Sequence, residues 1–494
     1  MSKSRREFIK GGAWIGAAAL AAGCLNSKLK LFGVNGAPMQ GFALPPMNEV
    51  RVGIVGVGSR GTGAAHRLPQ IPGTRLVAVA DLFEERISRL NAWLKENKFP
   101  SVCGYVGSES WKRICDAEDV NVIYIVAPWY LHARIAKRAM EHGKVSLVEV
   151  PGCSTVEECW DLVETSERTR IPCMMLENCC YGEEELLFLN MVKKGLLGEI
   201  IHGEAGYIHD ARKLQFSKRY HSMQGDIDAF ATGRPGWQLA LYAERNGNLY
   251  PTHGLGPIAR YMDINHGDRF DFVTSISSKS AGFQRYMKEN FTDWRAAIPV
   301  KIGDMNQSLI RTVNGRSILL QLDTCTPRPY SRLNLVTGTK GILQSYPELK
   351  MAFESLCADG STHRYFDRKK VEELRVLHMH PMWKTVGEIG RKIGGHGGMD
   401  FVMDLRWSYC LQNGLPLDID VYDLASWSCL VELTEQSVAK RASSVDVPDF
   451  TRGAWKTAKP YGIDEIDLSR LQGKFREIKD DEYIRATMKS EGLS

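Results

Sequence analysis

An α/β protein of two domains is predicted, with a doubly wound parallel sheet first and an α+β domain with a largely antiparallel sheet second. Apolar strand patterns alternate with helical patterns from about residue 50 to residue 180. A glycine-rich turn, GVGSRG, stands between the first strand and the first helix. From about Glu199 the apolar pattern changes to a period of two, which is typical of half-buried antiparallel strands. Two later helical stretches, WSYCLQNGLP and YDLASWSCLVELTEQSVAKRAS, are expected to return and pack on this second sheet.

These changes of pattern divide the chain of 494 residues, whose apolar content of 44% suffices for two large cores. We predict five segments: a signal segment over 1–24, a linker over 25–47, the parallel-sheet (Rossmann) domain over 48–180, the α+β domain over 181–455 and a C-terminal tail over 456–494.

The first 24 residues have the form of a twin-arginine export signal. Arg5 and Arg6 precede an apolar run over 13–22, which is too short to span a bilayer as a lasting anchor. The run ends in LAAGC, close to a lipoprotein cleavage site, so plain cleavage and lipid attachment at Cys24 both stay open. We therefore expect an exported protein, periplasmic or lipid-anchored at the cell envelope.

Charge and cysteine content exclude some classes of function. The net charge is +5, and four basic residues and one acid in the first 23 positions leave +2 on the rest, which gives no sign of a nucleic-acid partner. The twelve cysteines are scattered through apolar patterns, so buried free thiols are expected. No metal is predicted, and His396 in GGHGGMD is interpreted as a loop or interface residue.

The glycine-rich turn has the features of a dinucleotide site. Gly56, Gly58 and Gly61 fill the GxGxxG positions, and Asp81 ends the second strand 20 residues beyond Gly61. The glycines let the backbone approach a pyrophosphate at the helix N-terminus, and an acid at Asp81 would hydrogen-bond the ribose hydroxyls. Because a carboxylate would repel a 2′-phosphate, we predict NAD rather than NADP.

Further side chains stand where later strands end. Trp129, His132, Glu149 and Asn178 each follow an apolar strand pattern. The carboxyl ends of parallel strands meet at one edge of a sheet, where ligands bind. These four residues are therefore expected near the cofactor.

Longer motifs follow one another from about residue 50 to residue 455: GVGSRG, WYLH, EVP, MMLENCCY, NGNLYPTHGLGP, GGHGGMDF and GLPLDIDVYD. Together they resemble glycoside hydrolase family 109, the NAD-dependent α-N-acetylgalactosaminidases, within the wider glucose-fructose oxidoreductase family. The resemblance implies a carbohydrate substrate and a tightly held NAD.

The resemblance also implies site residues. NAD contacts would come from Ser59, Arg60, Asp81, Trp129, His132, Glu149, Val150 and Asn178. Substrate contacts would come from Tyr207, Gln238, Tyr250 and Tyr330. Tyr250 and His253 would stand beside the chemistry, with His253 as the base, because an imidazole suits proton transfer near neutral pH. Gln238 replaces a family arginine and lacks its charged, forked donors, so the sugar or its N-acyl group can differ.

The reaction implied by the resemblance does not use the paired carboxylates of most glycosidases. A hydride passes from carbon 3 of the sugar to NAD and the hydroxyl proton on carbon 3 leaves, which makes a ketone that acidifies the proton on carbon 2. A base removes that proton, the glycosidic bond at carbon 1 breaks, water adds and the hydride returns. NAD is restored in each cycle, so an exported enzyme needs only one bound NAD.

Two other interpretations stay open. One is an exported sugar oxidoreductase with tightly bound NAD(P), which Gln238 keeps in consideration. The other is a non-catalytic NAD-bound carbohydrate-binding protein, against which Tyr250, His253 and Tyr330 argue together, since a binding module needs no proton-transfer pair. The sequence does not determine the preferred sugar, the aglycone or the oligomeric state, and a homo-oligomer is compatible with it.

Overall fold

The computed structural model describes residues 38–216, 235–357, 360–462 and 464–475. The predicted export signal with Cys24, most of the predicted linker and residues 476–494 of the predicted tail lie outside these ranges. The described end of the linker packs on the folded chain, since the Met39 amide donates to the Tyr422 hydroxyl at 3.2 Å. Among the described residues, no helix is long and apolar enough to cross a membrane.

The first sheet is parallel and has six strands in the order β3-β2-β1-β4-β5-β6. Its strands are β1 Val50–Val55, β2 Thr74–Asp81, β3 Cys103–Val106, β4 Val122–Ile125, β5 Val145–Val148 and β6 Cys173–Met175. The connecting helices are α1 Ser59–Arg67, α2 Glu84–Glu96, α3 Ser110–Asp116, α4 Trp129–Glu141 and α5 Val156–Thr169. The order reverses between β1 and β4, which opens a crevice for ligands at their carboxyl ends. The predicted doubly wound sheet is confirmed.

The second sheet is mixed and has eight strands in the order β13-β12-β11-β7-β10-β9-β8-β14. Its strands are β7 Ile200–Ile208, β8 Phe270–Ser277, β9 Asn306–Thr312, β10 Ser317–Asp323, β11 Ser331–Gly338, β12 Gly341–Gln344, β13 Lys350–Phe353 and β14 Val445–Asp446. All neighbours run antiparallel except β7 and β10, which are parallel. The predicted hairpin at Asn314 and Gly315 joins β9 to β10.

Nine further α-helices lie in the described part of the chain after residue 180. They are α6 Glu183–Lys193, α7 Trp237–Glu244, α8 Thr252–Tyr261, α9 Gly282–Asn290, α10 Arg368–His378, α11 Pro381–Ile393, α12 Met399–Asn413, α13 Val421–Ser428 and α14 Leu430–Ala439. Helix α14 packs on β8, as expected. Helix α12 was expected on the second sheet but contacts the first domain instead, where Arg67 of α1 donates to Asp404 at 2.9 Å.

The eleven cysteines in the described ranges are all free thiols, and nine of them are buried. Burial raises the pKa of the Cys115 thiol to about 12, so this thiol stays protonated and unreactive at neutral pH. The prediction of buried free thiols is confirmed for these nine residues, whereas Cys103 is exposed and Cys357 is partly exposed.

Candidate active site

The turn between β1 and α1 fits a dinucleotide because two of its glycines leave no room for a side chain. Gly56 has φ of 91°, and a Cβ there would lie 2.5 Å from the Val126 carbonyl oxygen. A Cβ on Gly61 would lie 1.9 Å from the Gly56 carbonyl oxygen, so α1 starts directly against the turn. Ser59, the first residue of α1, is exposed. A pyrophosphate can therefore approach the backbone at the N-terminus of α1.

Asp81 lies beside this turn at the end of β2. One of its oxygens, Oδ2, accepts from the Val57 amide at 2.8 Å. The other, Oδ1, accepts from the Phe83 amide at 3.0 Å and from Arg86 Nη1 at 3.3 Å. A carboxylate has about four lone-pair sites, so Asp81 keeps acceptor capacity for ribose hydroxyls.

A charged cluster joins three of the predicted cofactor residues. Arg60 Nε donates to Glu149 Oε1 at 2.6 Å, and its Nη1 donates to Asp400 Oδ2 at 2.5 Å. Asn178 Nδ2 donates to the other oxygen of Asp400, Oδ1, at 2.6 Å. His396 Nδ1 lies 2.9 Å from Asp400 Oδ2. A carboxylate 222 residues beyond Asn178 thus connects the turn after β1 to the chain that follows β6.

Asp400 stays charged although it is only 1% exposed. Burial by itself raises the pKa of Asp400, but the Arg60 guanidinium and then His396 hold that pKa well below its usual value. Arg67 adds a second guanidinium, with Nη1 3.6 Å from Asp400 Oδ2. The interface interpretation of His396 agrees with its position, since its Nδ1 also lies 3.2 Å from Arg60 Nη1.

His132 holds two strand ends together rather than presenting a free ring nitrogen. Its Nδ1 lies 2.8 Å from the Pro151 carbonyl oxygen, and its Nε2 lies 2.7 Å from the Ala127 carbonyl oxygen. Burial lowers the pKa of His132, against the opposing effect of these hydrogen bonds. The buried Val150 lies next to Pro151. The ring therefore supports the backbone after β4 and β5, where ligands of this fold bind.

His253 lies between Glu177 and Tyr250. Its Nδ1 is 2.7 Å from Glu177 Oε1, and its Nε2 is 3.3 Å from the Tyr250 hydroxyl oxygen. Burial of Glu177 raises its pKa, but the facing His253 and the hydrogen bonds to the carboxylate outweigh this effect and lower the pKa below its usual value. A charged Glu177 accepts the Nδ1 proton, which leaves the Nε2 lone pair as the basic position.

A close helix–strand contact brings His253 to this position. A Cβ on Gly254 would lie 2.2 Å from the Gly206 amide nitrogen, so α8 can lie directly on β7 only with glycine there. Tyr207, next to Gly206 in β7, faces His253 with ring centroids 5.2 Å apart. The glycine after the histidine in the THGLG stretch therefore sets the position of the base relative to β7.

Five aromatic side chains form a connected group that we call the aromatic wall: Trp129, Tyr207, Trp237, Tyr250 and Tyr330. Two of them, Tyr207 and Tyr250, contact His253 directly, with ring centroids 5.2 and 4.9 Å away. Trp129 stacks on Tyr250 at 5.3 Å and meets Trp237 edge-on at 5.1 Å. Tyr207 contacts Tyr250 at 4.8 Å and Tyr330 at 6.2 Å. The wall brings together three predicted substrate residues and one predicted cofactor residue. Flat aromatic faces of this kind suit the apolar face of a sugar ring.

Gln238 follows Trp237 in α7. It is 9% exposed, and within the described residues its Oε1 is buried without a hydrogen-bond partner. A guanidinium nevertheless reaches the aromatic wall from another element, because Arg332 Nη1 donates to the Tyr330 hydroxyl at 2.8 Å. Arg332 is also ion-paired with the buried Glu185.

The described ranges contain two groups of three side chains that could ligate a metal. One is Glu177 with Cys179 and His253, and the other is His266 with Asp420 and Asp423; within each group the potential ligand atoms lie within 4.8 Å of one another. Burial raises the pKa of Cys179 well above its usual value, so this thiol is a poor ligand at neutral pH. Glu177 and His253 are already bonded to each other. We assign no metal to either group.

The first domain is similar to the NAD-binding domains of oxidoreductases. Residues 50–176 match the model of the oxidoreductase family with an NAD-binding Rossmann fold, and NAD is the cofactor that this domain binds. Levoglucosan dehydrogenase in complex with NADH and levoglucosan shares the fold, with a TM-score of 0.60 and 20% identity over 81% of this chain and 100% of that chain. An NAD binding oxidoreductase from Klebsiella pneumoniae gives a TM-score of 0.61 at 16% identity, over 82% of this chain and 100% of that chain.

The second domain identifies the family to which the chain belongs. Residues 181–457 match the model of the glycosyl hydrolase 109 C-terminal domain. Glycosyl hydrolase family 109 protein 2 of Shewanella sp. (strain ANA-3) is 44% identical over 466 residues, which are 93% of this chain and 98% of that protein. The alpha-N-acetylgalactosaminidase of Shewanella oneidensis is 43% identical over 472 residues, with 93% and 98% covered. The chain therefore belongs to glycoside hydrolase family 109, as its motifs predicted.

Two residues of the site were not identified from the sequence. Glu177 stands beside Asn178 in MMLENCCY, and its position just after a buried strand is a signal that could have identified it. Asp400 lies inside GGHGGMDF, but only the fold brings it to Arg60 and Asn178. The roles of the individual site residues stay predictions.

Proposed function

We propose that this protein is an NAD-dependent glycosidase that cleaves α-N-acetylgalactosaminides or a closely related glycoside. The observation that carries the proposal is the Glu177–His253–Tyr250 chain of hydrogen bonds, which adjoins the cofactor cluster through Asn178. The name of the S. oneidensis relative supports N-acetylgalactosamine as the sugar.

Each member of this chain has a role in proton transfer. NAD, when bound, supplies reversible hydride acceptance at carbon 3 of the sugar. His253 Nε2, which carries no proton when Nδ1 donates to Glu177, removes the proton from carbon 2. The Tyr250 hydroxyl, 3.3 Å from that nitrogen, donates to the oxygen on carbon 3 as charge develops there. Proton transfer of this kind accelerates a reaction by about 10²–10⁴-fold.

The aromatic wall and Gln238 account for the sugar. Trp237 and Tyr207 are partly exposed and offer ring surface for a pyranose, and Tyr330 is oriented by Arg332. The buried amide oxygen of Gln238 accepts a hydrogen bond, for example from an N–H or a hydroxyl of the sugar. An arginine at this position would only donate, so Gln238 selects a donor group on the substrate.

The test uses the purified protein with its bound NAD and two chromogenic substrates, an α-N-acetylgalactosaminide and the matching α-galactoside. We expect faster release from the N-acetylated substrate. His253→Ala should lower the rate by about 10²-fold or more with the NAD content unchanged. The control is His142→Ala, a surface histidine beside Asp116, which should not change the rate.

Two outcomes would overturn the proposal. Normal turnover by the His253→Ala variant would exclude His253 as the base. Accumulation of NADH with a free sugar, without cleavage of any glycoside, would instead identify a sugar oxidoreductase.

Export by the twin-arginine route is part of the proposal and rests on Arg5, Arg6 and the apolar run after them. The route carries folded proteins, so NAD can be bound before export. Replacement of both arginines by lysine should keep the protein and its activity in the cytoplasmic fraction. Export of that double variant at the normal level would contradict the proposal.

A further inference from the structure

We propose that Asp400 is a positioning residue that retains NAD, because it fixes Arg60 and Asn178 at the cofactor site from the C-terminal part of the chain. This inference rests on the proposed function in one respect, namely that the enzyme works with one NAD that stays bound. The sequence by itself predicted no role for Asp400.

Two predicted cofactor residues from distant parts of the chain converge on Asp400. Arg60 is the second residue of α1, directly after the glycine-rich turn, and Asn178 follows β6. Each donates to a different oxygen of Asp400, at 2.5 and 2.6 Å. A single carboxylate therefore sets the positions of two cofactor residues that no strand pairing connects.

Opposite charges hold this cluster together. Arg67 is buried and Arg60 is partly buried, with 20% of its side chain exposed, and Asp400, Asp404 and Glu149 are the anions that face them. Arg67 Nε donates to Asp404 Oδ2 at 2.9 Å, which makes a second ion pair between α1 and α12. Removing one partner of such a pair leaves an uncompensated buried charge. Helix α12 is thus held on α1 by pairs that are costly to open.

The loop before Asp400 has a backbone conformation that holds this residue in place. The residues from 394 to 398 all have positive φ, between 49° and 104°, and four of these five are glycine. A Cβ on Gly395 would lie 2.6 Å from the Asp400 Cβ, and the Asp400 amide donates to the Gly395 carbonyl at 3.3 Å. This backbone, which side chains other than glycine rarely adopt, folds tightly against Asp400 and places it on Arg60.

We expect NAD to dissociate slowly from a site that is held together in this way. Arg60 stands one residue after Ser59 at the N-terminus of α1, where the pyrophosphate binds. Release of the cofactor requires the polypeptide around the pyrophosphate to move, and Asp400 ties that polypeptide to α12 and to Asn178. Loss of the Asp400 charge leaves Arg60 paired with Glu149 alone and removes the ion pair between Arg60 and α12, which loosens the N-terminal end of α1.

The experiment measures how fast labelled NAD leaves the intact holoenzyme during a chase with unlabelled NAD. Asp400→Asn keeps the size but removes the charge, and we expect NAD to leave about tenfold faster or more. His396→Ala removes one exposed partner of Asp400 and should increase the rate by about two- to fivefold. The control is Asp418→Asn, a buried carboxylate paired with Arg406 of the same helix α12, which should release NAD at the wild-type rate.

Each outcome decides the inference. A wild-type release rate in Asp400→Asn would overturn it, and so would equally fast release from Asp418→Asn, which would indicate a loss of general stability. If Asp400→Asn does not fold, His396→Ala alone decides. Absence of glycosidase activity would count against the proposed function only, since the release of NAD is measured without a sugar.

Discussion

Glu177 and Asn178, which follow β6, are neighbours in the sequence but hydrogen-bond to different parts of the site. Glu177 bonds to His253 at 2.7 Å, and Asn178 bonds to Asp400 at 2.6 Å. Two consecutive residues therefore connect the proton-transfer chain to the cofactor cluster. The sequence could predict Asn178 and His253 from their motifs, but the partner of His253 lies 76 residues away, so only the fold reveals it.

Replacement of Glu177 by glutamine tests the role of its charge. Without the carboxylate, the Nδ1 proton of His253 is held less firmly and the imidazole can adopt the other tautomer. We expect kcat to fall by about 10²-fold while the NAD content stays unchanged. Glu183→Gln is the control, because Glu183 is ion-paired with the arginines at 375 and 391 and not with His253, and it should change kcat by less than about twofold. An unchanged kcat for Glu177→Gln would remove Glu177 from the mechanism.

Asp81 and Arg86 together should determine which dinucleotide binds. Arg86 Nη1 lies 3.3 Å from the Asp81 carboxylate, so Asp81→Ser would leave this cation free to meet a 2′-phosphate. We expect the ratio of NADP to NAD affinity to rise by about tenfold or more, measured by titration of NAD-free protein. The double variant with Arg86→Gln should lose that gain. If Asp81→Ser leaves the ratio unchanged, Asp81 does not select NAD.

At the scale of elements, the contact between α8 and β7 positions the base. Gly254 and Gly206 meet backbone to backbone, which places His253 against Tyr207. The motif YPTHGLGP predicts the reactive residues, but the sequence alone does not show that its glycine faces a strand. The parallel pairing of β7 with β10 was also not predicted, because a pattern of period two does not reveal the direction of a strand.

Gly254→Ala tests this contact. Its Cβ would lie 2.2 Å from the Gly206 amide nitrogen, so α8 must shift, and the backbone atoms of β7 cannot yield as a flexible side chain would. The strain should cost about 1–3 kcal/mol of stability and exceed the gain of about 1 kcal/mol from better helix propensity. We expect kcat to fall more than tenfold. Gly462→Ala, whose added Cβ has no atom of the described residues within 4 Å, should leave activity unchanged.

At the scale of the whole molecule, two sheets and a returning helix build one site. The alternation of strands and helices predicted the first sheet, and the change of period at Glu199 predicted the second. The position of α12 was predicted wrongly, because its sides are buried almost all round and show no apolar stripe to indicate its partner. Asp400 and Asp404 of this helix form ion pairs with Arg60 and Arg67 of the first domain.

His66 should make the fold sensitive to mild acid. Burial, and then the charge of Arg67, lowers the pKa of His66 to about 4, below the unfolded value of about 6.5. The unfolded chain therefore binds the proton first, so stability is full above about pH 6.5 and falls between there and about pH 4, by about 1.4 kcal/mol per pH unit.

The test compares the unfolding of the wild type with that of His66→Phe at pH 7.5 and pH 5.5, where about 1.4 kcal/mol separates the two pH responses. Phenylalanine keeps a ring against Trp93, whose centroid lies 3.7 Å from that of His66, but it does not titrate. The variant should lose less stability in acid than the wild type. Equal losses would show that His66 is not a neutral histidine in the folded state.

The most direct test of the central claim follows the hydrogen on carbon 2 of the sugar. The purified protein with its bound NAD would cleave a chromogenic α-N-acetylgalactosaminide in heavy water, with aglycone, NADH absorbance and sugar isotope content recorded together. Proton removal by His253 predicts release of the aglycone, deuterium at carbon 2 of the freed sugar and no lasting NADH. Release of the aglycone with the original hydrogen kept at carbon 2 would contradict the account.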